Sequence, residues 1–290
     1  MQFILFIFIY PIIWLISILP FRLLYLFSDC VCFLVYNIIG YRKKVVRQNI
    51  AMALPHLSEK ERFIIEKKFY HHLCDMFLEM IKTMSITRKE MEKRYVFTNL
   101  DVYLDLEKKG KSIALLCAHY ASYEWTVSMN YYITFEGYGI YKKINNRYFD
   151  KLVKDIRSKF KATLITTRET IPIIEKNSKT NHLGVYGFAS DQSPQASKTF
   201  HWGPFMGIET PVHTGAEMIA KRFDLNVLFL RTKKVKRGYY EATFELMADN
   251  PKEVPNYEIS DDFLRRVEKQ ILEAPEFYLW THKRWKHKKK

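Results

Sequence analysis

The sequence predicts an α/β fold: a single domain with a mixed, mostly parallel sheet flanked by helices, preceded by an N-terminal hydrophobic helical anchor. Short apolar runs alternate with amphipathic segments of about ten residues, which is the pattern of βαβ units. The first forty residues are almost free of charge, and 48% of the chain is hydrophobic, enough to fill a core. We therefore divide the chain into an anchor, residues 1–40, and a globular domain, residues 41–290.

The anchor is predicted from two adjacent apolar runs. Phe3–Phe21 contains no charged residue and would form a helix about 28 Å long, close to the hydrocarbon thickness of a bilayer. The chain is apolar again over Leu23–Ile39. A cleaved signal peptide fits poorly, because no basic start and no small-residue cleavage site are present. Because Pro11 and Pro20 kink a spanning helix, a re-entrant or interfacial anchor is one alternative, and a buried core helix is another.

Charge follows the anchor. Four cations lie within residues 41–47, and by the positive-inside tendency they place the remainder on the cytoplasmic side. Arg22 and Asp29 cancel, so the whole formal charge of +15 belongs to the globular domain. Such a domain favours an anionic partner, and charge alone would also suit a membrane-tethered binding protein. No basic-aromatic interleaving typical of nucleic-acid modules is present, so nucleic acid is not an expected partner.

The domain itself reads as alternating helices and strands. Apolar residues at helical spacing predict helices over residues 61–82, 121–132, 147–159, 169–176, 212–223 and 261–273. Short apolar runs predict strands over residues 112–117, 138–141, 163–166, 183–189, 226–231 and 239–246. Gly203–Gly207 predicts a turn that either borders a groove or is closed by core aromatic residues.

One candidate for chemistry follows the strand at 112–117. Open α/β sheets place reactive groups at the carboxyl ends of strands, and His119 and Glu124 lie just beyond this end. On a continuous helix two residues five positions apart diverge by about 140°. With His119 in the loop and Glu124 in the first helical turn, the carboxylate can orient the imidazole as a general base. On spacing alone, a structural histidine is an equal alternative.

Other chemistries lack their motifs. The sequence has no Gly-x-Ser-x-Gly elbow, no metal-ligand spacing, no P-loop and no dinucleotide fingerprint, so we expect neither a metal nor a cofactor. Cys117 and Ser122 are nearby nucleophiles, with core packing and helix capping as their alternatives. A base that deprotonates an acceptor hydroxyl supports direct acyl transfer without a protein nucleophile.

Four motifs in a fixed order resemble those of the bacterial lipid A late acyltransferases, of lauroyl/myristoyl type, a branch of the HX4D/E glycerolipid acyltransferases. The similarity covers nearly the whole chain, including the apolar start and the basic end. Those motifs are Ala118-His119-x4-Glu124, Ala189–Pro194, Phe205-x4-Thr210-Pro211-x3-Gly215-Ala216, and Tyr278–Lys286.

The resemblance implies an enzyme of the bacterial inner membrane with its catalytic domain on the cytoplasmic face. It would pass a fatty acyl chain, usually from acyl carrier protein, to a hydroxyl of a lipid A precursor. Coenzyme A as donor, and another glycolipid or a lysophospholipid as acceptor, are the alternatives. By position, His119 is the base and Glu124 its partner.

The resemblance also bears on substrate binding. Arg157 and Asp191 match charged positions that serve the substrate or the site. Lys142 and Arg147 are cations that could hold phosphates, although a solvated helix face is the alternative for each. The chain departs from many relatives at Ala121-Ser122-Tyr123, where they have Gly-Asn-Trp. The basic tail from Lys283 onward suits either anionic lipid headgroups or a solubilising end.

Overall fold

Seven strands form the central sheet of the computed structural model, which describes residues 2–289. The strand order is β1-β9-β8-β2-β5-β3-β4, and all neighbours are parallel except β8 and β9. β6 and β7 form a separate antiparallel hairpin. The strands are β1 Tyr95–Phe97, β2 Ile113–Cys117, β3 Glu136–Tyr141, β4 Thr163–Thr166, β5 Gly184–Ala189, β6 Trp202–Phe205, β7 Ile208–Pro211, β8 Asn226–Lys236 and β9 Tyr239–Ala248.

Helices flank this sheet, and the predicted fold class is confirmed. At the centre of the sheet, Ile113–Leu116 of β2 and Val227–Leu230 of β8 are buried, as parallel strands covered on both faces are. The α-helices are α1 Gln2–Ile18, α2 Phe21–Phe33, α3 Lys43–Ala53, α4 Glu59–Lys82, α5 Arg88–Arg94, α6 Leu100–Lys108, α7 Arg147–Ser158, α8 Thr170–Lys179, α9 Gly215–Phe223 and α10 Glu258–Glu273.

Shorter helical elements complete the chain. A π-helical segment, Leu34–Ile39, continues α2, and 3-10 helices span Tyr123–Tyr131, Ala196–Lys198 and Pro275–Phe277. The first of these 3-10 helices stands where an ordinary helix is predicted over residues 121–132.

The apolar N-terminus forms two helices rather than one span over Phe3–Phe21. The break falls at Pro20, which precedes α2 with an extended ψ of 145° and has no N–H to donate. Between residues 2 and 289, one helix is long and apolar enough to cross a membrane, and it runs from Phe21 to Ile39. Large apolar side chains of α1 point outward, and Phe8 is 70% exposed.

Polar contacts dock α2 onto α4. Ser28 donates to the Asp75 carboxylate at 2.8 Å, and the Tyr25 hydroxyl donates to Glu79 at 2.8 Å. Arg237, in the turn between β8 and β9, donates to both Asp29 and Asp75. The second apolar helix is therefore fastened to the globular domain by side chains that the apolar pattern does not reveal.

Gly238 permits this docking. Its φ of +73° is a conformation that side chains rarely adopt, and a Cβ built there would lie 1.9 Å from the Tyr25 hydroxyl oxygen. Any larger residue would strain the β8–β9 turn and force the Tyr25 side chain to shift.

Candidate active site

Strand register brings His119 and Asp191 together. β2 and β5 are parallel neighbours, and Cys117 pairs with Ala189 at their carboxyl ends. His119 and Asp191 each lie two residues beyond that pair, so the two side chains meet at one edge of the sheet. The backbone N–H of His119 donates to Asp191 Oδ1 at 3.0 Å, and His119 Nδ1 lies 2.7 Å from the same oxygen.

The geometry leaves the other imidazole nitrogen free. Asp191 is buried, with 1% of its side chain exposed, whereas 19% of the His119 side chain is accessible. Because an ionised carboxylate only accepts, its bond to Nδ1 places the proton there and the lone pair on Nε2. Among residues 2–289, no hydrogen bond to Nε2 is formed. This nitrogen is positioned to accept a proton from a substrate.

The electrostatics strengthen the imidazole as a base. Burial favours the neutral ring, but the charge and hydrogen bond of Asp191 outweigh it and raise the pKa of His119 above its ordinary value. Glu124 adds to this rise through its charge. Burial alone would raise the pKa of Asp191, yet the interaction with His119 holds it below its ordinary value. Asp191 therefore stays ionised beneath the ring.

Glu124 pairs with Arg157 rather than with His119, which corrects the expected His119–Glu124 hydrogen bond. Arg157 Nη2 donates to Glu124 Oε1 at 2.7 Å, and its Nε donates to Oε2 at 3.0 Å. Glu124 is the second residue of the 3-10 helix, and α7 brings the planar guanidinium to meet its carboxylate with two parallel bonds. Glu124 thus acts on the imidazole only through its charge.

Arg157 and Asp191, expected to serve the substrate or the site, thus both have partners within the site. Lys142 and Arg147 remain outside it. Lys142 directly follows β3, a parallel neighbour of β5, so it lies at the same sheet edge. Arg147 begins α7, and its Nη2 donates to the Tyr148 hydroxyl at 2.6 Å. Both are exposed, and neither forms an ion pair within the described part of the chain.

The neighbouring nucleophiles do not suit covalent catalysis. Burial raises the pKa of the Cys117 thiol to about 12, and the charges of Asp191 and Glu124 add to the rise. Cys117 is therefore a neutral thiol at physiological pH. Ser122 is 1% exposed, and although it precedes the 3-10 helix, its hydroxyl makes no capping hydrogen bond.

Ala121 adopts a backbone conformation that favours glycine. Its φ is +49°, and its N–H donates to Phe277 O at 2.9 Å. The resemblance implies glycine at this position. The departure at Ala121 is therefore accommodated by a left-handed residue, at a cost of about 1 kcal/mol.

The C-terminal segment forms one wall of the site, a role that sequence reasoning missed. Leu279 N–H donates to His119 O at 3.1 Å, and Tyr278 forms an antiparallel bridge with Tyr120. Asn49 of α3 donates to the carbonyl of Trp280 at 2.7 Å. The aromatic residues between the cations were the sequence signal for an ordered segment, because a solvated tail does not bury aromatic rings. Arg284, counted in the basic tail, is 1% exposed and so does not reach a lipid surface.

A cavity of about 350 Å³ lies between α1 and α7. Its wall is mostly aromatic and aliphatic, with two lysines and one aspartate. The lining residues are Phe6, Tyr10, Met84, Tyr148, Lys151, Leu152, Asp155, Ile156 and Lys159. Arg157, which pairs with Glu124, lies on the same helix as five of them.

Comparison with known proteins gives a consistent result. Residues 2–287 match the family model of the bacterial lipid A biosynthesis acyltransferases. The chain is 22% identical over 279 residues to the lipid A biosynthesis lauroyltransferase of Escherichia coli (strain K12), which covers 95% of this chain and 89% of that protein. With a family match over nearly its whole length, and with a basic imidazole at the carboxyl edge of its sheet, this chain belongs to the bacterial lipid A biosynthesis acyltransferases.

Proposed function

We propose that this acyltransferase moves a fatty acyl chain from a thioester of acyl carrier protein to a hydroxyl of a lipid A precursor, with His119 as general base. The observation that carries the proposal is the imidazole of His119, which Asp191 orients while Nε2 stays free. Membership of the family supports the reaction and the acceptor class.

The chemistry follows from that arrangement. Nε2 of His119 takes the proton of the acceptor hydroxyl while its oxygen attacks the thioester carbonyl. A C–O bond forms, the C–S bond breaks, and the leaving thiolate takes its proton from the imidazolium. Asp191 stabilises the imidazolium between these two transfers, as the carboxylate of a catalytic triad does. No protein nucleophile is required, in accord with the neutral Cys117 thiol.

Glu124 and Arg157 have a supporting role in this mechanism. Their bidentate pair joins the 3-10 helix to α7. The Glu124 side chain is 11% exposed and Arg157 20%, so the pair is partly screened from water. We assign to the pair the shape of the site around the base, with Glu124 also favouring the imidazolium through its charge.

The charge of the domain suits both substrates. Acyl carrier protein is acidic and a lipid A precursor carries phosphates, so a net charge of +15 attracts both over long range. Lys142 and Arg147 are exposed cations that follow β3 in sequence, and without ion-pair partners among residues 2–289 they are available for phosphate.

The N-terminal helices suit attachment to the inner membrane. Outward-facing apolar residues continue from α1 into the π-helical end of α2, where Ile38 and Ile39 are each 68% exposed. A continuous exposed apolar surface of this kind marks a membrane or protein contact. We propose that the exposed apolar faces of residues 1–40 lie in the bilayer while α2 stays docked on α4, and that residues 41–290 lie on the cytoplasmic face. We also propose that the acyl chain lies in the apolar cavity between α1 and α7.

The test is His119→Ala, assayed in membranes with an acyl carrier protein thioester and a lipid A precursor, with mass spectrometry of the product. We expect turnover to fall about 10³-fold with unchanged folding, because base catalysis contributes about 10²–10⁴-fold. His56→Ala is the matched control, because it removes an exposed histidine that is distant in sequence from His119. Full acyl transfer by His119→Ala would refute the proposal. If the unaltered enzyme acylated a lysophospholipid instead of the lipid A precursor, the proposed acceptor would be wrong.

A further inference from the structure

Two basic segments that are distant in sequence lie side by side in the structure. The first is residues 41–47, around the start of α3, and the second is residues 283–288, near the end of the chain. Asn49 of α3 donates to the carbonyls of Trp280 and His282, both at 2.7 Å. α3 therefore holds the stretch of backbone that leads into the second basic segment.

Two further contacts join these segments. Arg42, which directly precedes α3, donates from Nη1 to Thr281 O at 2.8 Å, and Lys288 Nζ lies 3.6 Å from the sulfur of Met52 in the last turn. The contacts thus extend from one end of α3 to the other. The exposed cations of both segments belong to one region of the surface, which we call the basic patch: Arg42, Lys44, Lys283, Lys286 and Lys288.

Carboxylates do not neutralise the basic patch. Residues 41–58 and 277–290 contain no Asp and no Glu. Within residues 2–289, none of the five cations forms an ion pair. Three carboxylates beside these segments each have their own cation: Glu66 with Arg47, Glu276 with Lys68, and Glu209 with Lys289. The basic patch therefore presents its full positive charge to an outside partner.

The basic patch begins where the exposed apolar surface of the N-terminus ends. Ile38 and Ile39 are each 68% exposed, and only Gly40 and Tyr41 separate them from Arg42. Tyr41 is itself exposed, and tyrosine is enriched at the level of lipid headgroups. With the apolar surface in the hydrocarbon of a bilayer, the basic patch lies at the level of the headgroups.

The side chains of the basic patch suit an extended anionic layer better than a single phosphate. Four of the five are lysines, which are flexible point charges and lack the planar fork that grips one phosphate with two bonds. All five are exposed, and the cavity between α1 and α7 contains none of them. The cytoplasmic leaflet of a membrane is an anionic layer that attracts such clusters of cations.

We propose that the basic patch binds anionic phospholipid headgroups and so orients the domain with the C-terminal wall of the site towards the membrane. The inference rests on the proposed function for the placement of residues 1–40 in the bilayer. The segment itself provides the link to the site, because Leu279 N–H donates to His119 O at 3.1 Å and the basic patch resumes at Lys283. Headgroup contact would therefore hold the wall beside His119 close to the leaflet that contains the acceptor lipid.

The test is the reaction of lysines with acetic anhydride in the whole chain, reconstituted in phosphatidylcholine vesicles with or without phosphatidylglycerol and read by mass spectrometry. With phosphatidylglycerol, the lysines of the basic patch should react about threefold more slowly, because headgroups exclude the reagent and keep the amines protonated. High salt should remove this protection. Exposed lysines elsewhere that form no ion pair within residues 2–289 should react equally in both vesicles: Lys176, Lys252 and Lys269.

Lys44→Glu tests whether the two segments act as one surface. Reversing this exposed charge on α3 should reduce the protection of the three C-terminal lysines about twofold, although they are distant in sequence. Lys252→Glu, which reverses an exposed charge elsewhere, is the matched control and should leave their protection unchanged. If Lys44→Glu also left it unchanged, the basic patch would not be one binding surface and the inference would be overturned.

Other outcomes also decide the matter. Equal reactivity in the two kinds of vesicle would overturn the inference. Protection in pure phosphatidylcholine on addition of inorganic phosphate would indicate a discrete phosphate site, and protection on addition of acyl carrier protein would indicate a protein partner. Either result would replace the lipid surface.

The labelling does not depend on turnover, so it separates this inference from the proposed function. His119→Ala should be protected to the same extent as the parent, and a fully active but protected His119→Ala would refute the proposed base alone. Flotation with pure phosphatidylcholine vesicles tests the placement of residues 1–40. A protein that did not float would refute that placement, and the inference with it.

Discussion

Two clusters of polar and charged side chains in this molecule differ in how completely their hydrogen bonds are formed. The docking cluster joins α2 to the globular domain, and the site cluster lies at the carboxyl edge of the sheet. The docking cluster consists of Asp29, Asp75, Glu79 and Arg237, and the site cluster of His119, Asp191, His282 and Arg284.

In the docking cluster every carboxylate oxygen of the buried residues is used. Asp75 accepts from Ser28 and Arg237, and the two oxygens of Glu79 accept from Tyr25 and Tyr240. A buried polar network that is fully paired is rigid and costly to disturb. This cluster therefore fixes the orientation of α2, because apolar contacts alone do not select one orientation for that helix.

In the site cluster several atoms have no partner in the described chain: Asp191 Oδ2, His282 Nδ1, and Nε and Nη2 of Arg284. Unpaired buried polar groups are rare in proteins and collect where function requires them. The difference indicates that the docking cluster serves stability and the site cluster serves chemistry. Variants in the two clusters should then have opposite effects on turnover and on unfolding.

Asp191→Asn should produce the largest loss of turnover. The carboxamide cannot stabilise the imidazolium, and its NH₂ group favours the wrong tautomer of His119. By analogy with catalytic triads we expect a loss of about 10³–10⁴-fold. The urea unfolding midpoint should change little, because the amide fills the same space. Acyl transfer and urea unfolding, both measured in detergent, provide the check.

Asp249→Asn is the matched control, since Asp249 is 46% exposed and pairs only with Lys109 at the surface. If Asp191→Asn kept turnover within about tenfold of the parent, Asp191 would be a structural residue and the contrast between the clusters would fail.

Arg237→Gln should show the opposite behaviour. It leaves Asp75, which is 3% exposed, without its bidentate partner, although Lys234 remains 3.6 Å away. Because Arg237 is itself 36% exposed, we expect the free energy of unfolding to fall by about 2–3 kcal/mol, below the usual range for a fully buried pair. Turnover per folded molecule should be preserved.

Arg265→Gln provides the comparison for that variant. Arg265 is 62% exposed and pairs with Asp262 at 3.9 Å, so its loss should cost less than about 1 kcal/mol. Equal unfolding midpoints for Arg237→Gln and Arg265→Gln would show that the docking cluster contributes nothing special.

Much of the fold was predictable because it is encoded locally. The strand at residues 163–166 agrees with the predicted bounds, and α7 ends one residue before its predicted end. Four elements were not predicted from the sequence: α3, α5, β1 and α6. They are short or strongly charged, so their apolar residues show only weak periodicity. The β6–β7 hairpin was anticipated only as a turn, and Met206 and Gly207 both adopt positive φ there.

The site was predictable in its members but not in its pairing. Both His119 and Asp191 follow predicted strands, yet their contact depends on β2 and β5 being neighbours in register. Chain order does not reveal that adjacency, because β3 and β4 lie between them in sequence. Glu124, only five residues from His119, was the nearer partner in sequence, but α7 brought Arg157 to it from a distant part of the chain.

The last prediction concerns the pH dependence of stability and Glu79. Burial raises the pKa of Glu79 from about 4.5 to about 7, although the charge of Lys234 opposes this. The folded state therefore holds this proton more tightly than the unfolded state, and its contribution to stability is lost as pH rises from about 4.5 to about 7. The full change is about 3 kcal/mol. Glu79→Gln should remove that slope from the urea midpoint measured between about pH 5 and about pH 8. Glu253→Gln, at an exposed site, is the control and should retain the slope. A slope that survives in Glu79→Gln would assign the titration to another group. His119 would be the first to examine, because its raised pKa also makes stability fall as pH rises.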